Sequence, residues 1–114
     1  MRSARVAFGA IVVGAWVIGG VASATSTTSA PKSYVITIEN MQFNPPKLTV
    51  HRGDRVVWVN KDFFAHTATA DAKAFDSLAI APNASWSYVA HRVGDYSYKC
   101  TFHPTMKGML TVAP

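Results

Sequence analysis

The seven residues Cys100-Thr101-Phe102-His103-Pro104-Thr105-Met106 constrain this chain more than any other stretch, because they set a thiol, an imidazole and a thioether side by side near its end. Histidines and a cysteine in one plane, with a distant methionine on the axis, suit a mononuclear copper site. A three-residue step reaches about 10 Å at most, so a bent loop can aim Cys100, His103 and Met106 at one point. The set lacks a second histidine. His66, 34 residues upstream of Cys100, can supply it. A fold that uses all four must return a separate segment to this loop. No carboxylate is expected beside these donors to favour a hard ion. Zinc accepts cysteine and histidine as well but cannot change oxidation state there.

The rest of the chain reads as short strands. A strand sends alternate side chains to opposite faces. Tyr96, Tyr98 and Cys100 therefore share a face, and Cys100 should point inward at the end of its strand. Tyr34 to Ile38 is β-branched and aromatic, and Met41 and Phe43 continue the alternation until Asn44-Pro45-Pro46 stops the ladder. Lys47 to His51, Arg55 to Asn60, His66 to Ala70, Ser85 to Val89 and Gly108 to Val112 complete the pattern, with turns at Arg52-Gly53-Asp54, Pro82-Asn83 and Gly94-Asp95. Asp71 to Ala81 is irregular. Seven to eight strands without a long helix predict an all-β sandwich.

Residues 1–24 have the pattern of a secretory signal peptide: Arg2 and Arg5, an apolar run from Val6 to Val21, and the small residues Ala22-Ser23-Ala24. The run is short of the roughly 20 residues that span a bilayer comfortably, so cleavage before Thr25 is expected rather than anchoring. Residues 25–33 are rich in Ser and Thr and read as a flexible linker, leaving residues 34–114 as the single domain. Without the leader, nine basic side chains face six acidic ones, a scattered excess of +3. That excludes a dense nucleic-acid-binding patch. Cys100 is the only cysteine, which excludes an intrachain disulfide and an all-cysteine zinc cluster.

From Tyr34 to Val112 the chain resembles the cupredoxins, the small type 1 blue copper proteins, and within them the plastocyanin/amicyanin branch. The resemblance lies in Phe43-Asn44-Pro45-Pro46-Lys47-Leu48-Thr49-Val50, in Gly53-Asp54-Arg55-Val56-Val57-Trp58-Val59-Asn60, and in the run from Gly94 to Gly108 with its short Cys-x2-His-Pro-x-Met spacing. It implies a Greek-key β-sandwich or barrel binding one copper ion, with His66, Cys100 and His103 as equatorial ligands and Met106 axial. It also implies an exported, periplasmic carrier of single electrons, monomeric and free of the membrane after cleavage. Its donor and acceptor would be redox proteins, such as a cytochrome or a dehydrogenase, docking near His103. Catalysis is not expected. A copper-storage or copper-delivery protein is the alternative.

Two positions depart from the family's pattern. Phe102 stands where amicyanin-like loops usually carry proline, and Thr67 where asparagine usually follows the first histidine. Both amides are expected to donate to the Cys100 sulfur, with Thr67 and Thr101 tying loop to strand. Met41 is expected to pack within its strand, and Met109, out of phase with Leu110 and Val112, is set aside as a ligand. His51 and His91 are expected at the surface. Phe102 and Pro104 are expected in an exposed apolar patch. Phe63 and Phe64 fit either that patch or the core.

Overall fold

In the computed structural model, residues 9–20 and 29–114 are described. The expected cleavage point after Ala24, and residues 25–28 of the linker, lie outside them. Among the described residues no helix is long and apolar enough to cross a membrane. Eight strands follow one another: β1 (Ser33–Glu39), β2 (Gln42–Asn44), β3 (Lys47–His51), β4 (Arg55–Asn60), β5 (Thr69–Ala70), β6 (Ser85–Val89), β7 (Gly94–Lys99) and β8 (Lys107–Ala113). They form two four-stranded sheets, ordered β2-β1-β4-β6 and β3-β8-β7-β5. β1 pairs with β4, and β3 with β8, in parallel; the other pairs are antiparallel.

Alternation decides which side chains enter the space between the sheets. On β4, Val56, Trp58 and Asn60 are buried while Arg55 is exposed. On β8, Leu110 and Val112 face inward as expected. Trp58 lies at the centre, within 5.5 Å (centroid to centroid) of the rings of Phe75, Trp86 and Tyr98. Burial pushes the Tyr98 phenol up to about 12, against a smaller opposing effect of the Trp58 indole, so it stays neutral across the physiological range.

Three local expectations need correction. Met41 does not pack within a strand. Glu39 pairs with Gln42, so Asn40 and Met41 form a two-residue turn with φ of 54° and 59°, and Met41 is exposed. Such a tight hairpin turn needs positive φ at both central residues; asparagine accepts this readily and methionine poorly. Second, the strand expected from His66 to Ala70 shrinks to Thr69–Ala70, with His66 held by an isolated bridge to Ile80. Third, Cys100 lies just beyond the end of β7, although it is fully buried on the expected face.

At the end of the sandwich where β3 turns into β4, Asp54 is buried and its carboxylate accepts the amides of Lys32 (2.9 Å) and His51 (2.8 Å). Those two amides, first Lys32 and then His51, hold its carboxyl below the usual 3.8. A lowered folded-state value means that the unfolded chain binds the extra proton. The contribution is therefore complete above 3.8 and is lost as pH falls through the lower folded value. Asp54→Asn is expected to be less stable than wild type at neutral pH and to lose less stability on acidification. Urea unfolding at neutral pH and below 3.8 checks this; parallel acid losses in the two proteins would contradict it.

Candidate metal centre

The site is assembled from two loops. The first follows β4. Asn60, fully buried, donates through Nδ2 to the carbonyls of Phe64 (2.8 Å) and Ile80 (2.9 Å), and its Oδ1 accepts the Asp62 amide (3.0 Å). One side chain thus shapes the turn that leads to His66. The backbone of His66 is fixed against Ile80 by bonds in both directions, 3.2 Å from its N and 2.7 Å to its O.

The second loop joins β7 to β8. The Cys100 amide donates to the Met106 carbonyl (3.1 Å), the His103 amide to the Cys100 carbonyl (3.3 Å), and the Met106 amide to the His103 carbonyl (2.9 Å). These bonds close the loop on itself, so its side chains have little freedom. Cys100 and Met106 are buried and His103 is half-buried.

The two loops bring His66, Cys100 and His103 together, with one ligating atom from each lying within 4.8 Å of the others. The Cys100 Sγ is 3.7 Å from His66 Nδ1 and 3.8 Å from His103 Nδ1. An ion bound at about 2.0 Å to nitrogen and about 2.3 Å to sulfur, the bond lengths of zinc, with 120° between them, separates those atoms by about 3.7 Å. The donor triangle therefore already has the size for one metal ion. Softness decides which: thiolate, imidazole and a buried thioether suit copper. Met109, half-buried in β8, has its sulfur 3.9 Å from Ser97 Oγ and stays outside this group.

Around the sulfur, Thr67 acts as expected and Phe102 does not. The Thr67 amide donates to Sγ at 3.3 Å. The Phe102 amide makes no such bond among the described residues, because the loop curls through the Cys100 carbonyl to His103 instead. The Thr67 hydroxyl oxygen accepts the Thr101 amide at 2.8 Å and lies 3.1 Å from Thr101 Oγ1 and 3.0 Å from Thr69 Oγ1. Loop and strand are tied through this one oxygen.

A carboxylate does lie close by, against expectation. Asp62 Oδ2 is 2.8 Å from His66 Nε2, the ring nitrogen facing away from the sulfur. Burial works to raise the Asp62 pKa, but the amides of Met41 and Asn40 and the His66 ring outweigh it and hold the carboxyl below the usual 3.8. A proton on Nε2, donated to that carboxylate, leaves the Nδ1 lone pair for a metal. Asp62 and His66 are four residues apart, but in a loop that spacing carries no regular signal.

At the outer edge, Phe63 is 94% exposed, Phe64 62% and Phe102 54%, and Pro104 is exposed too. Phe102 and Pro104 sit at the surface as expected, and Phe63 and Phe64 are outside the core. His51 and His91 are also exposed.

Comparison with known proteins agrees with this geometry. A family model described as the cupredoxin-like domain matches residues 9–112. The chain is 30% identical over 88 residues to amicyanin of Paracoccus denitrificans, covering 73% of this chain and 67% of that protein. It is 29% identical over 83 residues to amicyanin of Paracoccus versutus, covering 68% of this chain and 63% of the relative, and so spans a little under two thirds of that protein's length. Plastocyanin of a Synechococcus strain is 29% identical over 105 residues, with 76% and 77% covered. Among solved structures, a reduced tryptophan-to-tyrosine variant of amicyanin superposes with a TM-score of 0.67 at 28% identity, over 75% of this chain and 86% of that one. A Cu(I) methionine-to-alanine variant of amicyanin gives 0.66 at 27% identity, over 70% and 81%. Strand architecture, donor triangle and sequence agree: the chain belongs to the cupredoxin family of electron-carrying proteins, whose cofactor is a single type 1 copper ion.

Proposed function

We propose that this protein carries single electrons between redox proteins outside the cytoplasm. His66, Cys100, His103 and the buried Met106 would hold a copper ion between the two loops. The observation that carries this reading is the donor triangle, with sulfur-to-nitrogen separations of 3.7 and 3.8 Å. Bound copper supplies the one-electron chemistry by alternating between Cu(II) and Cu(I). The chain's part is to keep the donors still. The loop bonds around Cys100, the Thr67 clasp and the Ile80 bridge to His66 do this, so little rearrangement opposes electron transfer.

His103 is the half-buried donor, beside the exposed Phe102 and Pro104. An apolar rim of this kind suits a small, transient interface. We place the docking of a donor and an acceptor there, a cytochrome or a dehydrogenase in kind. The leader pattern and the resemblance to amicyanin and plastocyanin support an exported, periplasmic protein that acts as a monomer, free of the membrane once cleaved. No catalytic step is assigned.

Voltammetry of the copper-loaded protein tests the role. A reversible one-electron couple, with Cu(II) retained against chelators, is expected; rapid surrender of the ion, or tight binding of Cu(I) alone, would favour copper delivery instead. Met106→Gln is expected to keep copper bound while the potential falls, because a harder axial donor favours Cu(II). An unchanged potential would remove Met106 from the ligand set.

A further inference from the structure

We infer that the β1–β2 hairpin turn is part of the copper site, acting through Asp62 as a positioning residue for His66. The inference rests on His66 being a copper ligand. Each oxygen of the Asp62 carboxylate is committed. Oδ1 accepts the Asn40 amide at 2.8 Å; Oδ2 accepts the Met41 amide at 3.0 Å and lies 2.8 Å from His66 Nε2. The Asp62 backbone is itself fixed, its amide donating to Asn60 Oδ1 at 3.0 Å. The side chain is only 12% exposed and the His66 ring is fully buried, so little water competes.

The turn has the shape this grip needs. Successive residues in twisted turn conformations aim neighbouring N–H groups at one anion. Asn40 and Met41 both hold positive φ, a conformation costly for methionine and kept only where the surroundings fix it. The carboxylate that gathers both amides is such a surrounding. The chain of contact therefore runs from the turn to the carboxylate, to Nε2, and through the ring to the donor nitrogen Nδ1, 3.7 Å from the Cys100 sulfur. A carboxylate on the far nitrogen orients a ligating imidazole and makes it more basic. A more basic nitrogen, with a negative charge behind it, favours Cu(II) over Cu(I).

The test uses the full chain with Asp62→Ala and Asp62→Asn. Asp62→Ala is expected to weaken Cu(II) binding roughly 10–100-fold. With Cu(I) binding weakened about tenfold less, the potential rises by about 59 mV. Asp62→Asn, which keeps one oxygen acceptor but no charge, should shift in the same direction by less. In the metal-free wild type, nitrogen NMR should find the His66 proton on Nε2 and slow to exchange. Wild-type affinity and potential in the folded variants, or a proton on Nδ1 in the metal-free wild type, would overturn the inference. A purely structural Asp62 would lower stability and leave the potential of the folded protein where it was. If Asp62→Ala does not fold, Asp62→Asn and the NMR measurement decide. Failure of the wild type to bind copper would sink the ligand assignment instead, and the NMR result would still report on the Asp62–His66 contact.

Discussion

Cys100→Ser is expected to give a folded, colourless protein. The blue colour of a type 1 site comes from charge transfer between a cysteine thiolate and Cu(II), and a serine hydroxyl neither ionises readily nor matches copper in softness. The fold should survive. Serine is close to cysteine in size, and the Thr67 amide that now donates to Sγ at 3.3 Å would find an oxygen there instead. The loop around position 100 is closed by backbone bonds that the change leaves in place. Loss of a direct ligand should exceed the roughly 10–100-fold in affinity that outer hydrogen-bond partners contribute. Titration with Cu(II), followed by absorbance and by heat, reads both effects. A blue Cys100→Ser protein would mean that the chromophore lies elsewhere.

Gly108→Ala is expected to destabilise the sandwich by about 3 kcal/mol, the upper part of the usual range for overpacking a core. A Cβ at position 108 would overlap Cζ and the hydroxyl oxygen of Tyr98 and lie 2.7 Å from its Cε1. Gly108 is directly opposite Tyr98 across the β7–β8 ladder, so the ring lies over the glycine. Tyr98 cannot swing away. It is 1% exposed and is packed against Phe43 (4.8 Å), Trp58 (5.5 Å) and Phe75 (5.8 Å). The strain would also reach the metal loop, since Tyr98 is two residues before Cys100 and Gly108 two residues after Met106. Urea unfolding of the single variants and of Gly108→Ala/Tyr98→Ala checks the cause. The double variant should lose less than the sum of the singles, because removing the ring removes the clash. A Gly108→Ala protein within about 0.5 kcal/mol of wild type, the range of an unremarkable surface change, would contradict the packing argument.

The parts of this molecule that were legible in the sequence are those where chemistry and period coincide locally. Tyr96, Tyr98 and Cys100 follow a strict two-residue alternation, and the observed β7 continues it inward to the sulfur. His103 and Met106 follow within one short loop, so their residue types alone marked them. His66 is the histidine available upstream, and the family resemblance implies it as a ligand; the structure brings its Nδ1 to 3.7 Å from the sulfur. What was not legible depends on how loops close. Asp62 meets His66 because Asn60 bends the segment between them, and a hydrogen-bonding hub of that kind leaves no periodic trace. Met41 fits an alternating strand pattern, yet the pairing of Glu39 with Gln42 puts it in the turn. The Phe102 amide was expected on the sulfur because it is not a proline; possession of a donor does not fix its direction.

The optical spectrum of the protein loaded with Cu(II), read together with its copper content, tests the central claim most directly. One copper per chain and an intense blue thiolate band are what two ring nitrogens and one sulfur, gathered by separate loops of a β-sandwich, should produce. A fully copper-loaded protein that stays colourless would contradict it.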